Sequence, residues 1–275
     1  MQHRLKSILT LLLLSTSIGA HAGPEEDRSA LIEHYRKQLP NIKFEDYVYG
    51  ALAMNAEAKL QYDEMMEFPP FTLDLRQGEA IWEKPFSNGE KFSSCFKYGG
   101  FNAAANYPYF DDTAGRVITF ENAINDCLKA NKEPEFKYGS REMALVTSYA
   151  KNISNNAKIN IKVKGPGALA AYDKGKRIYY ERRGQLNFNC AGCHVDNAGK
   201  FLRNDQLSML IGAASHWPTY RSGTEAVTMQ GRFVQCNTLT RTEPRALNSE
   251  DYNNLEYFMT YMSNGLKMQT PVFRK

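Results

Sequence analysis

The sequence offers little that points to nucleic acid or to a membrane. After the first residues, no apolar run approaches the roughly 20 residues needed to span a bilayer. Charge of neither sign dominates, with 34 Lys and Arg against 30 Asp and Glu among 275 residues. No motif that reads DNA or RNA is present, and the near-neutral balance gives no basis for binding a polyanion or an anionic membrane. Cysteine is scarce: Cys95, Cys127, Cys190, Cys193 and Cys236. Hydrophobic residues at 43% and charged residues at 23% describe an ordinary globular chain, long enough for one large domain or two small ones.

The N-terminus reads as an address. Arg4 and Lys6 precede an apolar stretch from Ile8 through Leu14 to Ile18, and Ala20-His21-Ala22 stands before Gly23-Pro24. This pattern predicts a secretory signal peptide over residues 1–22, export to the periplasm, and no membrane insertion after cleavage. An uncleaved anchor is the alternative, and the apolar run is short for one. Removing the segment takes away two basic and no acidic side chains, leaving a charge of +2. Export places five cysteines in an oxidising compartment, where an odd number requires an explanation.

Cys190-Ala191-Gly192-Cys193-His194 is a C-x-x-C-H motif. One helical turn sets two thiols where each can add to a vinyl group on the same edge of a porphyrin, and the following His supplies an axial nitrogen. The motif predicts one covalently bound haem c on Cys190, Cys193 and His194. A zinc site would need four ligands, and the other cysteines are single and distant. A redox C-x-x-C would sit at a strand-to-helix turn, and the flanking Asn187-Phe188-Asn189 and Val195–Gly199 give no clear strand.

The chain also repeats itself. Gly78–Glu83 resembles Gly175–Tyr180; Gly78 stands 17 residues before Cys95, and Gly175 stands 18 before Cys193. Tyr107-Pro108-Tyr109 resembles Trp217-Pro218-Thr219-Tyr220, 19 and 18 residues before Cys127 and Cys236. Amphipathic helices are predicted near Met143–Ile153 and Tyr252–Met262, with Gly265 a plausible stop for the second. These matches predict an all-α fold: two cytochrome c-like units in tandem, the first without haem, the second with one covalently bound haem. Residues 23–160 would hold the N-terminal region with the haemless unit, and residues 161–275 the haem-binding unit.

In the first unit the positions matching Cys190 and His194 are Phe92 and Phe96, so that unit cannot attach haem in this way. Cys95 and Cys127 are then predicted to close a disulfide, with two free buried thiols as the alternative. Cys236 is left over, and the repeat places it opposite the attached haem face as a candidate sixth ligand. His216 and the methionines Met209, Met229, Met259, Met262 and Met268 compete with it. Arg232, one turn before Cys236, would face the same side and offer a seat for an oxyanion. Arg241 is also near in sequence, and His34 reads as a solvated side chain.

The chain resembles the SoxA family, the haem-bearing A subunits of SoxAX cytochromes. The matching segments are Gly78–Trp82; Tyr107–Tyr109 with Gly115–Val117 and Ile124–Cys127; Cys190–His194; Gly231–Asn237; and Thr270–Arg274. The resemblance implies an L-cysteine S-thiosulfotransferase that joins thiosulfate to a cysteine of a SoxYZ-like sulfur carrier and releases two electrons. It implies a SoxX-like cytochrome subunit as partner, Cys236 as an iron ligand found as a persulfide, and Arg232 in substrate binding. Because Phe92 and Phe96 stand where some members bind a second haem, this chain resembles the one-haem kind, with Cys95–Cys127 as the disulfide. Two other readings remain: an electron-transfer cytochrome c without sulfur-transfer activity, and a thiosulfate dehydrogenase forming tetrathionate.

Overall fold

The computed structural model describes residues 23–221 and 225–273; the expected signal peptide lies outside them, as do residues 222–224, 274 and 275. Two close helix crossings organise the chain. In the first, α3 (Thr72–Glu83) packs on α6 (Arg141–Asn152), with α1 (Pro24–Gln38) and α2 (Ala56–Glu67) ahead of them. In the second, α7 (Gly165–Tyr180) packs on α10 (Glu250–Met262). The repeated glycines sit at the two contact points. A Cβ on Gly78 would stand 2.3 Å from the Leu145 carbonyl oxygen, and one on Gly175 would stand 2.0 Å from that of Asn254. Only the lack of a side chain lets the helices approach so closely.

The rest of the repeat is also visible in space. The short α4 (Phe92–Cys95) corresponds to α8 (Cys190–His194), and α5 (Phe120–Ala130) to α9 (Met229–Leu239). Thr119 caps α5 by accepting from the Asn122 amide at 3.1 Å, and Thr228 caps α9 by accepting from that of Gly231 at 3.2 Å. Ser140 and Ser249 cap α6 and α10 in the same manner. The peptides Tyr107-Pro108 and Trp217-Pro218 are both cis. The second amphipathic helix ends on Ser263, with Gly265 just beyond it at a φ of +86°.

The fold is helix-rich but not all-α. Short strands brace the loops: β1 (Tyr109–Asp111) pairs with β2 (Arg116–Ile118), and β3 (Phe201–Leu202) with β4 (Asp205–Gln206). β5 (Thr219–Tyr220) lies between antiparallel β6 (Ala226–Val227) and parallel β7 (Val272–Phe273). These segments are two or three residues long, too short for period-2 alternation to register in the sequence.

Aromatic rings fill the first unit. Trp82 stacks on Phe92 at 5.4 Å and tilts onto Phe96 at 5.4 Å, while Phe96 meets Phe120 at 5.4 Å. The two residues that replace haem-binding positions therefore build core. Cys95 and Cys127 form the disulfide, with Cα atoms 5.8 Å apart across a separation of 32 residues.

A polar network joins the units through α5, α9 and α10. Asn122 Nδ2 donates to Tyr138 Oη at 2.9 Å and to Asn248 Oδ1 at 2.5 Å; Gln230 Nε2 donates to Asn253 Oδ1 at 2.8 Å and to Glu256 Oε2 at 3.1 Å. Burial first, and the Glu256 charge second, push the Glu121 carboxyl up to about 7, against Lys151 and Thr228; burial also raises Glu256. An acid raised on folding favours the folded state only while protonated. Its contribution is full below the usual 4.5 and is lost as pH rises through about 7. Glu121→Gln should therefore flatten the fall in thermal stability between pH 5 and pH 8 and gain of order 1–3 kcal/mol at the upper end. Parallel melting curves for the two proteins across that range would refute this.

Candidate haem site

A returning loop builds the motif. After α7 the chain turns back, with the Arg183 amide donating to the Phe188 carbonyl at 2.9 Å and Asn189 Nδ2 to the Tyr180 carbonyl at 2.8 Å. Asn189 then caps α8, its Oδ1 accepting from the Gly192 amide at 2.7 Å. This single helical turn sets Cys190 and Cys193 on one face, both as free thiols.

His194 is fixed from both ends. Its Nδ1 donates to the Ser208 carbonyl at 2.8 Å, which leaves Nε2 with its lone pair. Burial lowers its basicity; the Ser208 carbonyl opposes this, while Arg232 and Arg221 add to it. The neutral imidazole, the form that ligates a metal, is favoured. The His194 peptide is held by α1: Tyr35 Oη donates to the His194 carbonyl at 2.5 Å and accepts from the Leu210 amide at 3.0 Å. Gln38 reaches the Asp196 and Ala198 carbonyls at 3.4 and 3.3 Å. His34, expected as merely solvated, meets the Val195 carbonyl at 3.4 Å from a largely exposed position. Asp27 bonds Lys176 Nζ at 2.6 Å and Tyr172 Oη at 3.0 Å, tying α1 to α7. No sequence signal marked Tyr35 for this role, because its contact lies 159 residues away.

Cys236 lies half-buried on α9. Burial, and after it the charge of Cys236, raises both thiols, Cys190 to about 12. The charge of Cys236 is thus felt by both thiols, and Arg232 stands one turn earlier on α9. His216 is buried beside the Trp217 ring at 5.1 Å; Met209, Met229, Met262 and Met268 are buried in the core, and Met259 packs against it. Arg241 lies past α9, and its carbonyl accepts from the Gln185 amide at 3.1 Å.

This residue set fits a porphyrin better than a bare ion. Among the described residues no three His, Cys, Asp or Glu side chains converge as a metal ion would need. A porphyrin supplies four donors itself and needs only paired thiols and an axial nitrogen. It also needs apolar walls. Leu186 and Phe188 in the loop before α8, and Leu239 at the end of α9, are 41, 44 and 66% exposed. Tyr179 is fully buried next to Cys190 and Cys193, and its hydroxyl has no hydrogen-bond partner among the described residues. Both features suit a large flat group with a polar edge.

Tandem helical units carrying this motif define the class of c-type cytochrome domains. The family model described as SoxA/TsdA, cytochrome c domain, matches residues 77–159 and 174–268. The L-cysteine S-thiosulfotransferase subunit SoxA of Chlorobaculum tepidum is 39% identical over 274 residues, covering 96% of both chains. The subunit of that name from Allochromatium vinosum is 38% identical over 258 residues, covering 92% of this chain and 91% of the relative. Among solved structures, a chain of SoxXA from P. pantotrophus superposes with a TM-score of 0.69 at 32% identity, covering 75% of this chain and 79% of that one. The chain belongs to the SoxA family. Among the described residues, no helix is long and apolar enough to cross a membrane.

Proposed function

We propose that this chain is the haem-bearing subunit of a periplasmic L-cysteine S-thiosulfotransferase, exported by residues 1–22 and composed of a haemless unit (23–160) and a haem unit (161–275). Cys190 and Cys193 would hold one haem c through thioether bonds, and His194 Nε2 and Cys236 Sγ would ligate its iron. The haem supplies a one-electron acceptor when bound. A SoxX-like cytochrome subunit is the partner, and a SoxYZ-like carrier brings the acceptor thiol. Thiosulfate and the carrier thiol become joined by a new sulfur–sulfur bond; the thiol proton leaves, and two electrons pass to the cytochromes.

The observation that carries this reading is the Cys190–His194 turn whose two thiols both feel the charge of Cys236, with Arg232 one turn before that cysteine. A cysteine sulfur so placed is within reach of an electron acceptor, and a neighbouring guanidinium draws an oxyanion to it. His194 and Tyr35 keep the opposite wall fixed, so Cys236 meets its substrate in a constant geometry.

Peptide mapping by mass spectrometry tests this on protein matured in a periplasm. The peptide containing Cys190 and Cys193 should carry the mass of one haem, and after thiosulfate treatment the Cys236 peptide should gain one sulfur, about 32 Da. A matured protein without haem would overturn the proposal. Haem with Cys236 still unmodified would reduce it to electron transfer.

A further inference from the structure

The two units differ in what covers the residues after the cysteine turn. In the haem unit the N-terminal helix lies on them. Tyr35 Oη of α1 donates to the His194 carbonyl at 2.5 Å, and Gln38 Nε2 donates to those of Asp196 and Ala198 at 3.4 and 3.3 Å. Just past α1, Leu39 Cδ2 comes within 3.1 Å of where a Cβ on Gly199 would stand. Val195 and Ala198 are buried there.

Cys95 matches Cys193, so the equivalent stretch of the first unit runs from Phe96 to Phe101. Among the described residues no side chain bonds its main chain, and Tyr98 and Phe101 are 90 and 60% exposed. The stretch is nevertheless fixed. The Gly99 amide donates to the Phe96 carbonyl and the Phe101 amide to the Tyr98 carbonyl, both at 3.2 Å. A Cβ on Gly100 would stand 2.6 Å from the Trp82 ring, so the loop is seated directly on the core. Tyr98 takes a φ of +55°, in the left-handed region that favours glycine. Its ring gains no burial within the chain in return, and strain kept without internal packing points to a surface in use.

The rim is cationic. Lys97 lies in the stretch, and Lys129 and Lys132 lie at the end of α5; none makes an ion pair among the described residues. Asn131, between the last two, donates to Cys95 Sγ at 3.6 Å, which sets this end of α5 against the turn just before the stretch. Apolar rings, unbonded main chain and unpaired lysines together fit an amphipathic helix with neutral donors, as on α1, and acidic residues beside them.

We propose that residues 96–101 are the docking surface for the partner cytochrome subunit, which lays an acid-faced helix on them as α1 lies on 194–199. This rests on the reading above that such a subunit is the partner. On that reading two electrons pass to cytochromes at each turnover, so this subunit stays bound, and exposed aromatic anchors suit a lasting interface. A carrier that must leave after each transfer suits a smaller one.

The test measures binding of the haem-loaded chain to the purified cytochrome subunit by calorimetry at low and physiological salt. Tyr98→Ser with Phe101→Ser should raise Kd about a hundredfold or more, while the melting curve stays that of the wild type because neither ring is buried. Lys97→Glu should raise Kd about tenfold at low salt and less at higher salt. Leu60→Ser, at an apolar residue 59% exposed on α2, should change Kd by less than about twofold. Wild-type binding that both surface variants retain overturns the proposal. So does a double variant that loses only self-association or only binding of the sulfur carrier, since the surface then serves a second copy or the carrier. Should the double variant not fold, Lys97→Glu decides by the same criterion. A wild type that does not bind the cytochrome subunit at all removes the partner reading itself, and the docking surface with it.

Discussion

Cys236→Met will stop thiosulfate-dependent turnover, by about a thousandfold or more, while haem stays attached. The asymmetry follows from what each sulfur can do. On the proposed reading, attachment would depend on Cys190, Cys193 and His194, all on one helical turn that α9 does not build. A thioether is itself a competent axial ligand opposite histidine, so the variant should keep a six-coordinate haem, with a higher reduction potential because a strong thiolate donor is gone. It has no thiol, however, and cannot carry an extra sulfur or share one with a second thiol. The measurement is turnover with a thiol-bearing carrier, alongside the haem spectrum and the midpoint potential. Turnover that survives the substitution removes Cys236 from sulfur transfer and leaves an electron carrier. Tetrathionate formed without any carrier would instead favour the thiosulfate dehydrogenase reading.

Loss of the Cys95–Cys127 disulfide will be the largest stability effect in the first unit. Closing a loop with a separation of 32 residues restricts the unfolded chain by about 3–4 kcal/mol. Cys95→Ala with Cys127→Ala should therefore lower the melting temperature by roughly 10 °C. The haem spectrum should not change, because the bridge ties α4 to α5 and touches neither α8 nor α9. The aromatic stack of Trp82, Phe92 and Phe96 should hold the unit folded at moderate temperature in its absence. A drop of only a degree or two would show that this stack, rather than the cross-link, secures the unit. The comparison within the molecule is instructive: where α8 and α9 carry three cysteines outside any disulfide, α4 and α5 close two sulfurs on each other and pack phenylalanine around them.

The repeat was legible because it is written in residues with few substitutes. Gly78 and Gly175 recur because a helix crossing with a carbonyl against the backbone admits no Cβ. Cys95 and Cys127 pair, as expected where Phe92 and Phe96 stand in place of haem-binding residues. The predicted helices over 143–153 and 252–262 appear as Arg141–Asn152 and Glu250–Met262, since a four-residue apolar period is a strong signal. The all-α expectation was too simple because the strands are two or three residues long and are defined by their partners, as Thr219 is by Val227 on one side and Val272 on the other.

The sequence alone determined the chemistry that depends on neighbours along the chain: two thiols and a histidine on one turn, an arginine one turn before a cysteine, a pair of cysteines with no haem residues beside them. Tertiary structure alone decided what surrounds that chemistry. Tyr35 grips the His194 peptide from a helix that lies ahead of the first unit, the charge of Glu256 acts on Glu121 across the junction, and Tyr220 of the second unit reaches Asp74 of the first. Covalent spacing is fixed by bond lengths and helix pitch, and is therefore readable in a few letters. Contacts between distant segments depend on which faces the whole chain can bury together, and no short stretch of sequence contains that information.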